Sequence, residues 1–507
     1  MKIHAFTSVC ISLLPFTIIT GNSKPKKALL PNIIIIYADD VGYGDLNCYG
    51  YSSVKTPNVD KLADEGIRFT NAHCGASTST PSRYAMLTGE YAWRHPGTGI
   101  APGDAAIIIS PDRQTMPGMM QEAGYKTAAI GKWHLGLGVE KGKQDWNGLI
   151  TPGPRELGFD YSYIMAATGD RTPCVFIENG RVVNLDMDDP IQVSYKENFP
   201  GEPSGKDNPE LLRIHPSHGH NQAIINGISR IGFMKGGKSA LWVDENIADT
   251  LTLKAMQFIT ENKDKPFFLY FGTQDVHVPR VPHPRFVGAS GMGPRGDVIV
   301  QFDWTVGQIM ETLKKLNLDH NTLVILSSDN GPVIDDGYKD QAVELLGDHK
   351  PWGPYRGGKY SIFEAGTRVP QIVRWKGKVK PAVSNAMVSQ LDWYASIASI
   401  VGYKLKEHEA SDSFNSLNTL MGDNKIDRKF IVEQNTNLVL SIVVKGWKYI
   451  EPSKSSAVSK DTNVKLGNSP KSQLYNLIKD PGEKENLADK YPAKVQALKA
   501  QLDKIKM

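Results

Sequence analysis

Asn32-Ile33-Ile34-Ile35-Ile36-Tyr37 runs without a break into Asp39-Asp40-Val41-Gly42, and this junction decides the fold. Four consecutive isoleucines are stiff at χ1 and favour extended backbone. No polar residue alternates with them, so the strand is expected to be buried on both faces, as in parallel sheets covered by helices. Phe267-Phe268-Leu269-Tyr270-Phe271 is a second run of this kind. Thr322-Leu323-Val324-Ile325-Leu326 is a third, and it stops at Ser327-Ser328-Asp329-Asn330-Gly331. Between the last two, Phe302, Val306, Ile309, Met310 and Leu313 recur at helical spacing. Strands alternating with helices predict an α/β domain with a central, mostly parallel sheet between helices.

Outward from this frame the texture changes. Residues 137–240 are rich in Gly, Pro and Asp and weakly periodic, too long for a plain loop. They are expected to elaborate one end of the sheet, where substrate would be shaped. Met387 to Ile400 reads as a helix ending at Val401-Gly402. Beyond residue 403 come short strands at Phe430–Glu433, Leu438–Val444 and Trp447–Ile450, then a terminal helix with Val495, Leu498, Leu502 and Ile505 on one face. The expected division is a catalytic domain at 24–402 and a smaller α+β subdomain with an antiparallel sheet at 403–507.

The first residues read as a signal peptide, 1–23. Lys2 carries positive charge, an apolar stretch follows from Ala5 to about Ile19, and Gly21-Asn22-Ser23 offers small and polar residues. Cys10 lies too early for lipoprotein cleavage. No later run approaches the ~20 apolar residues of a spanning helix. The expectation is a periplasmic or secreted protein with no stable membrane insertion. The 507 residues carry 58 Lys and Arg against 54 Asp and Glu. So small an excess, without a basic run, excludes a nucleic-acid partner. Four cysteines, Cys10, Cys48, Cys74 and Cys174, become three after cleavage. They form neither a disulfide framework nor a zinc site, and at most one disulfide is available.

The strand ends carry the first chemistry. Asp39 and Asp40 end one buried strand; Asp329 and Asn330 end another. Each pair alone suits a turn. Converging at the carboxyl ends of a sheet, they suit a cation, and oxygen-only donors favour Ca²⁺ or Mg²⁺ over zinc. Ser79-Thr80-Pro81-Ser82-Arg83, continued by Leu87-Thr88-Gly89, reads by itself as a turn and a helix start with proline in the first turn.

That second stretch resembles the signature of the type I, formylglycine-dependent sulfatases of the alkaline phosphatase superfamily, in which a Cys or Ser is oxidised. The resemblance continues along nearly the whole mature chain. Gly131-Lys132-Trp133-His134-Leu135-Gly136, Val276-His277-Val278-Pro279, Ser328-Asp329-Asn330-Gly331, and Arg356-Gly357-Gly358-Lys359 with Glu364-Ala365-Gly366-Thr367-Arg368-Val369-Pro370 follow in the family's order. Leu474-Tyr475-Asn476-Leu477 with Asp480-Pro481 and Glu485-Asn486-Leu487 resembles its C-terminal subdomain. The resemblance implies an alkaline-phosphatase-like fold and a sulfatase using a formylglycine diol, made from Ser79, as nucleophile. It implies one Ca²⁺, with Mg²⁺ an alternative, on Asp39, Asp40, Asp329 and Asn330. Arg83 would support the modified residue, and Lys132 and Lys359 would neutralise sulfate oxygens. His277 would protonate the leaving oxygen and His134 would take a proton during release of sulfate. Serine in place of cysteine at Ser79 implies a bacterial source and a maturing radical enzyme of the anaerobic type as partner. An unmodified serine could instead attack phosphate.

The substrate implied by such relatives is a sulfated carbohydrate of host glycans, mucin or glycosaminoglycan, attacked in exo fashion. A 6-O-sulfated galactose or N-acetylgalactosamine is the first expectation; a 3-O- or 4-O-specific galactose-type sulfatase, a phosphatase or phosphodiesterase of the superfamily, and a non-catalytic glycan binder are the alternatives. Asp170, Arg171 and His220 are the candidates for reading ring hydroxyls, since adjacent acceptor and donor suit a vicinal diol. The other reading of Asp170 and Arg171 is a local ion pair. Thr168 joins them from the family's habit of a hydroxyl residue nearby. Of His215, His218 and His220, one is expected to face substrate.

Overall fold

The structure, a computed structural model, describes Met1, residues 30–423 and residues 427–507. The expected signal peptide lies outside the described residues. Asn32–Ala38 is a strand whose every residue is buried. It pairs in parallel with Phe267–Gly272 on one side and Thr322–Ser328 on the other. Lys126–Lys132 and then Tyr161–Met165 continue the parallel set beyond Phe267–Gly272. Antiparallel partners close both margins: Gln371–Arg374 beside Thr322–Ser328, and Phe176–Glu178 beside Tyr161–Met165. The whole is a ten-stranded sheet.

Helices cover both faces, and the register shows it. Tyr37 and Phe267 differ in parity along the paired strands, so their side chains leave opposite faces. Tyr37 meets Trp393 of helix Asp392–Val401 edge-on at 6.1 Å. Phe267 meets Phe258 of helix Ile247–Glu261 at 5.9 Å. This two-sided cover is why the isoleucine run tolerates no polar alternation.

Two expectations need correction. The helix expected from Met387 begins only at Asp392. Val388–Ser389 is instead a short strand, drawn into parallel pairing with Ala72–His73; a partner in register outweighs local helical spacing. The 137–240 region is also less uniform than its composition suggests. Tyr161–Met165, Phe176–Glu178 and Arg181–Val182 belong to the central sheet, and mostly irregular chain lies on both sides of them, at 137–160 and from 183 on.

Ile431–Gln434, Leu440–Val444, Trp447–Ile450 and Gln473–Asn476 form a four-stranded antiparallel sheet, backed by helix Pro492–Lys506. Its apolar face packs on Ala85, Tyr91 and Leu391 of the larger unit. A buried ionic knot crosses the same seam. Lys448 lies 3.0 Å from Glu364, 2.9 Å from Glu433 and 3.7 Å from Glu483, and His73 lies 2.8 Å from Glu433. Burial pushes the Glu483 carboxyl up to about 8 although Lys448 pulls the other way, and its Oε1 accepts no hydrogen bond, as suits a neutral acid. No helix among the described residues is long and apolar enough to cross a membrane.

Candidate active site

Five adjacent parallel strands end on the same side, and each delivers a candidate residue there, as the rule for ligand sites in open α/β sheets requires. Asp39 and Asp40 follow Asn32–Ala38; Asp329 and Asn330 follow Thr322–Ser328; Lys132 ends its strand and His134 follows it. His277 lies past the Phe267–Gly272 end, and Thr168, Asp170 and Arg171 past Tyr161–Met165. Strands Phe267–Gly272 and Lys126–Lys132 approach so closely that a Cβ on Gly131 would sit 1.8 Å from the Gly272 carbonyl oxygen, and Gly131 has φ +98°. Glycine is therefore required there to seat Lys132. Asp40 and His134 also have left-handed backbone, φ 59° and 56°, the kind of local strain that surrounding structure must hold in place.

Ser79 is the first residue of helix Ser79–Thr88, where the helix dipole favours negative charge. Its hydroxyl accepts from Lys132 Nζ at 2.8 Å and donates to Asn330 Oδ1 at 3.2 Å. One turn on, Arg83 is fully buried and donates to Asp329 Oδ2 at 2.7 Å and to the Tyr270 hydroxyl at 2.5 Å. Burial alone would neutralise Asp329, but Lys132 and Arg83 outweigh it and hold its carboxyl well below the usual range. Burial lowers the Lys132 pKa against the pull of Asp39 and Asp329.

The acidic cluster tests whether a cation belongs here. Asp39 is fully buried and neither carboxylate oxygen accepts a hydrogen bond; Lys132 Nζ, 2.7 Å from Oδ1, is a charge contact out of hydrogen-bond alignment. Burial pushes the Asp39 carboxyl well up, with Lys132 opposing and Asp329 and Asp40 adding to the push. Asn330 Nδ2 donates to Asp40 Oδ1 at 2.7 Å, bracing the two strand ends. Three buried carboxylates and one amide oxygen, with two oxygens lacking partners, fit a hard divalent ion. Asp39, Asp40 and His277 also bring three potential ligand atoms within 4.8 Å of one another.

Lys359 stands on the far side of Asp40, 2.8 Å from its Oδ2 and 2.8 Å from Asp336 Oδ2. Burial works against its charge, but Asp336 and Asp40 overcome this and raise its pKa well above the lysine value. His277 Nδ1 donates to the Val278 carbonyl at 2.7 Å, which leaves Nε2 facing Asp40 at 3.8 Å. Burial and Lys359 lower its pKa to about 4. His134 Nε2 donates to the Ala101 carbonyl at 2.9 Å, and its Nδ1 is buried without a partner. Burial, then Lys132, push the His134 pKa well below the usual value, so the ring is neutral with a free lone pair, the state of a base.

Ser79, His134, Asp170, Arg171, His220, His277 and Lys359 line one cavity of about 40 Å³, room for a few waters or one tetrahedral oxyanion by that measure. Thr168 is buried and donates its hydroxyl to Asp170. Asp170 also meets Arg171 at 2.9 Å and His220 at 2.8 Å. The ion pair and the cavity-facing position thus coexist. His218 contacts Asp335 at 3.8 Å and lies outside this lining, as does His215. Asp336 and Tyr360 belong to no motif legible in the sequence, yet both line the cavity, and the Tyr360 hydroxyl donates to Asp336 Oδ1 at 2.8 Å. Asp335-Asp336-Gly337 is a turn signal by composition; nothing local tells that its second carboxylate reaches Lys359. Cys48, Cys74 and Cys174 are unpaired.

Comparison with known proteins is consistent over nearly the whole length. The sulfatase family model matches residues 31–403. An N-acetylgalactosamine-6-O-sulfatase of Bacteroides thetaiotaomicron is 55% identical over 503 residues, covering 98% of each chain. Human arylsulfatase A is 30% identical and covers 93% of this chain and 88% of its own. A solved structure from work on the metabolism of multiple glycosaminoglycans by B. thetaiotaomicron superposes with a TM-score of 0.93 at 56% identity, covering 94% of this chain and 100% of that one.

Proposed function

The chain belongs to the sulfatase family and is a sulfuric ester hydrolase, and we propose that it removes the 6-O-sulfate from terminal N-acetylgalactosamine or galactose of a sulfated glycan, at a formylglycine made from Ser79. The observation that carries the substrate reading is the end-to-end 55% identity with a protein named for that activity. A small cavity lined by Ser79, with room for one sulfate group and edged by Asp170, Arg171 and His220, agrees with a sulfate presented on a terminal sugar.

Asp39, Asp40, Asp329 and Asn330 would hold the ion, calcium in the first instance. The modified residue would supply the nucleophile, and a divalent ion held by these four residues would supply Lewis acidity towards it and towards the sulfate group. The chain's own groups do the rest. Lys132, 2.8 Å from Ser79 Oγ, and Lys359 face the negative oxygens of the bound ester as fixed, dry cations. Asp336 keeps Lys359 charged and in place. His277, beside Asp40, offers Nε2 to the leaving sugar oxygen; the ester's negative charge favours its protonated form. His134 presents its unpartnered Nδ1 to receive a proton as sulfate departs. Arg83 fixes Asp329 from the helix that carries Ser79. Asp170, tied to Arg171 and His220, reads the ring hydroxyls. The serine calls for a maturing radical enzyme of the anaerobic type, and the N-terminal stretch for a site of action outside the cytoplasm.

The test is turnover of N-acetylgalactosamine sulfated singly at O3, O4 or O6 by matured enzyme. Release of sulfate from the 6-O isomer at least tenfold faster than from the others supports the proposal. Preference for the 4-O or 3-O isomer, or for a phosphate ester, overturns it.

A further inference from the structure

A second cavity, of about 860 Å³, opens between the 332–335 and 352–357 loops of the larger unit and the 461–465 and 482–484 loops of the C-terminal part. It shares a wall with the cavity over Ser79. Asp335 lines the groove while its neighbour Asp336 lines the active-site cavity; Gly357 lines the groove while Lys359, two residues on, lines the cavity. The two spaces are thus separated along the chain by one or two residues, about 4–8 Å of backbone.

The groove is biased towards anions. Arg356, Lys465 and Lys484 line it, and none of the three has a carboxylate within ion-pair distance among the described residues. Arg356 donates to the Glu483 backbone carbonyl at 2.7 Å and lies 4.0 Å over the Phe363 ring, so its cation is held without being neutralised. Lys465 and Lys484 are exposed. Trp352 adds a half-buried aromatic wall, a surface suited to a sugar face. Of the two acids in the lining, Asp335 is engaged by the Ser217 hydroxyl.

We propose that this groove binds the continuation of the glycan, with Lys465, Lys484 and Arg356 recognising a second sulfate or a uronate carboxylate on a sugar beyond the terminal one. This rests on the glycan reading above. The enzyme would then prefer a polyanionic chain to a free sulfated monosaccharide, and the C-terminal part would contribute to specificity.

The experiment compares the matured enzyme with the Lys465→Ser/Lys484→Ser double variant. Substrates are N-acetylgalactosamine 6-sulfate and an oligosaccharide ending in that sugar with a second sulfate further along. The unaltered enzyme should show a KM for the oligosaccharide about three- to tenfold below that for the monosaccharide, the range expected for two exposed ion pairs. The double variant should lose that advantage with monosaccharide turnover and kcat unchanged. Equal KM ratios in the two proteins would overturn the proposal. Binding of the oligosaccharide lacking its terminal 6-sulfate reads the groove separately. Tighter binding by the unaltered protein, falling with salt, supports the groove even if no sulfate is released, and equal affinities reject it.

Discussion

Replacing Lys132 with methionine removes one charge and keeps nearly the same chain length. The lost ammonium lies 2.8 Å from Ser79 Oγ, 2.7 Å from Asp39 Oδ1 and 3.5 Å from Asp329 Oδ2, with no exposure. Breaking a buried pair by deleting one partner costs about 3–5 kcal/mol. At ~2 cal/mol/K per residue, a chain of 507 residues loses about 1 °C of Tm per kcal/mol, so metal-free protein should melt ~3–5 °C lower. With calcium the deficit should shrink, because the ion neutralises the same carboxylates. The catalytic loss is larger. A buried donor aimed at developing charge is worth about 2.7–4 kcal/mol, or roughly 10²–10³ in kcat. The assay is sulfate release under saturating substrate, with thermal unfolding in calcium and in EDTA. A variant with kcat within threefold of the parent and the same metal-free Tm would refute the assignment of Lys132 to both roles.

Other outcomes follow from the same geometry. Stripping the ion from the parent should lower Tm and abolish sulfate release, both restored by calcium, because Asp39 is then left buried without a hydrogen-bond donor; a chelator-insensitive Tm would contradict this. Asp170→Ala should cut kcat/KM on the 6-sulfated sugar about 10–100-fold through the loss of charged hydrogen bonds, and leave a small aryl sulfate within threefold; equal losses on both would place Asp170 in general folding. Glu483 has a folded pKa of about 8, well above its ordinary 4.5. The folded state therefore holds a proton that the unfolded state has released between those values, and stability falls as pH rises through that window, by at most ~1.4 kcal/mol per pH unit. Glu483→Gln should melt with less dependence on pH between 5 and 8 than the parent; identical slopes would remove Glu483 from the account.

Much of this could be read from the chain because its strongest signals are local. The Ile33–Ile36 run gives a strand buried on both faces, and Asp39-Asp40 marks its carboxyl end. What stayed hidden depends on partners distant in sequence. Lys126–Lys132 has small residues and charged ends, so nothing in Lys-Thr-Ala-Ala-Ile-Gly-Lys announces an interior strand; its burial comes from Phe267–Gly272 and Tyr161–Met165 on either side. Val388–Ser389 likewise takes its extended form from a distant partner, Ala72–His73, against its own helical spacing. Asp336 is the clearest case at the site. Its approach to Lys359 joins two loops 23 residues apart, and no pattern in either loop encodes the contact. At Asp170, by contrast, the sequence offered an ion pair and a sugar contact as alternatives, and the geometry allows one carboxylate to serve both.

The central claim is that chemistry occurs at an oxidised Ser79, and the peptide carrying that residue tests it most directly. Mass spectrometry of active preparations, made with and without the radical maturing enzyme, should show the peptide lighter by two hydrogens in proportion to specific activity. Full sulfatase activity in protein whose Ser79 is entirely unmodified would contradict it.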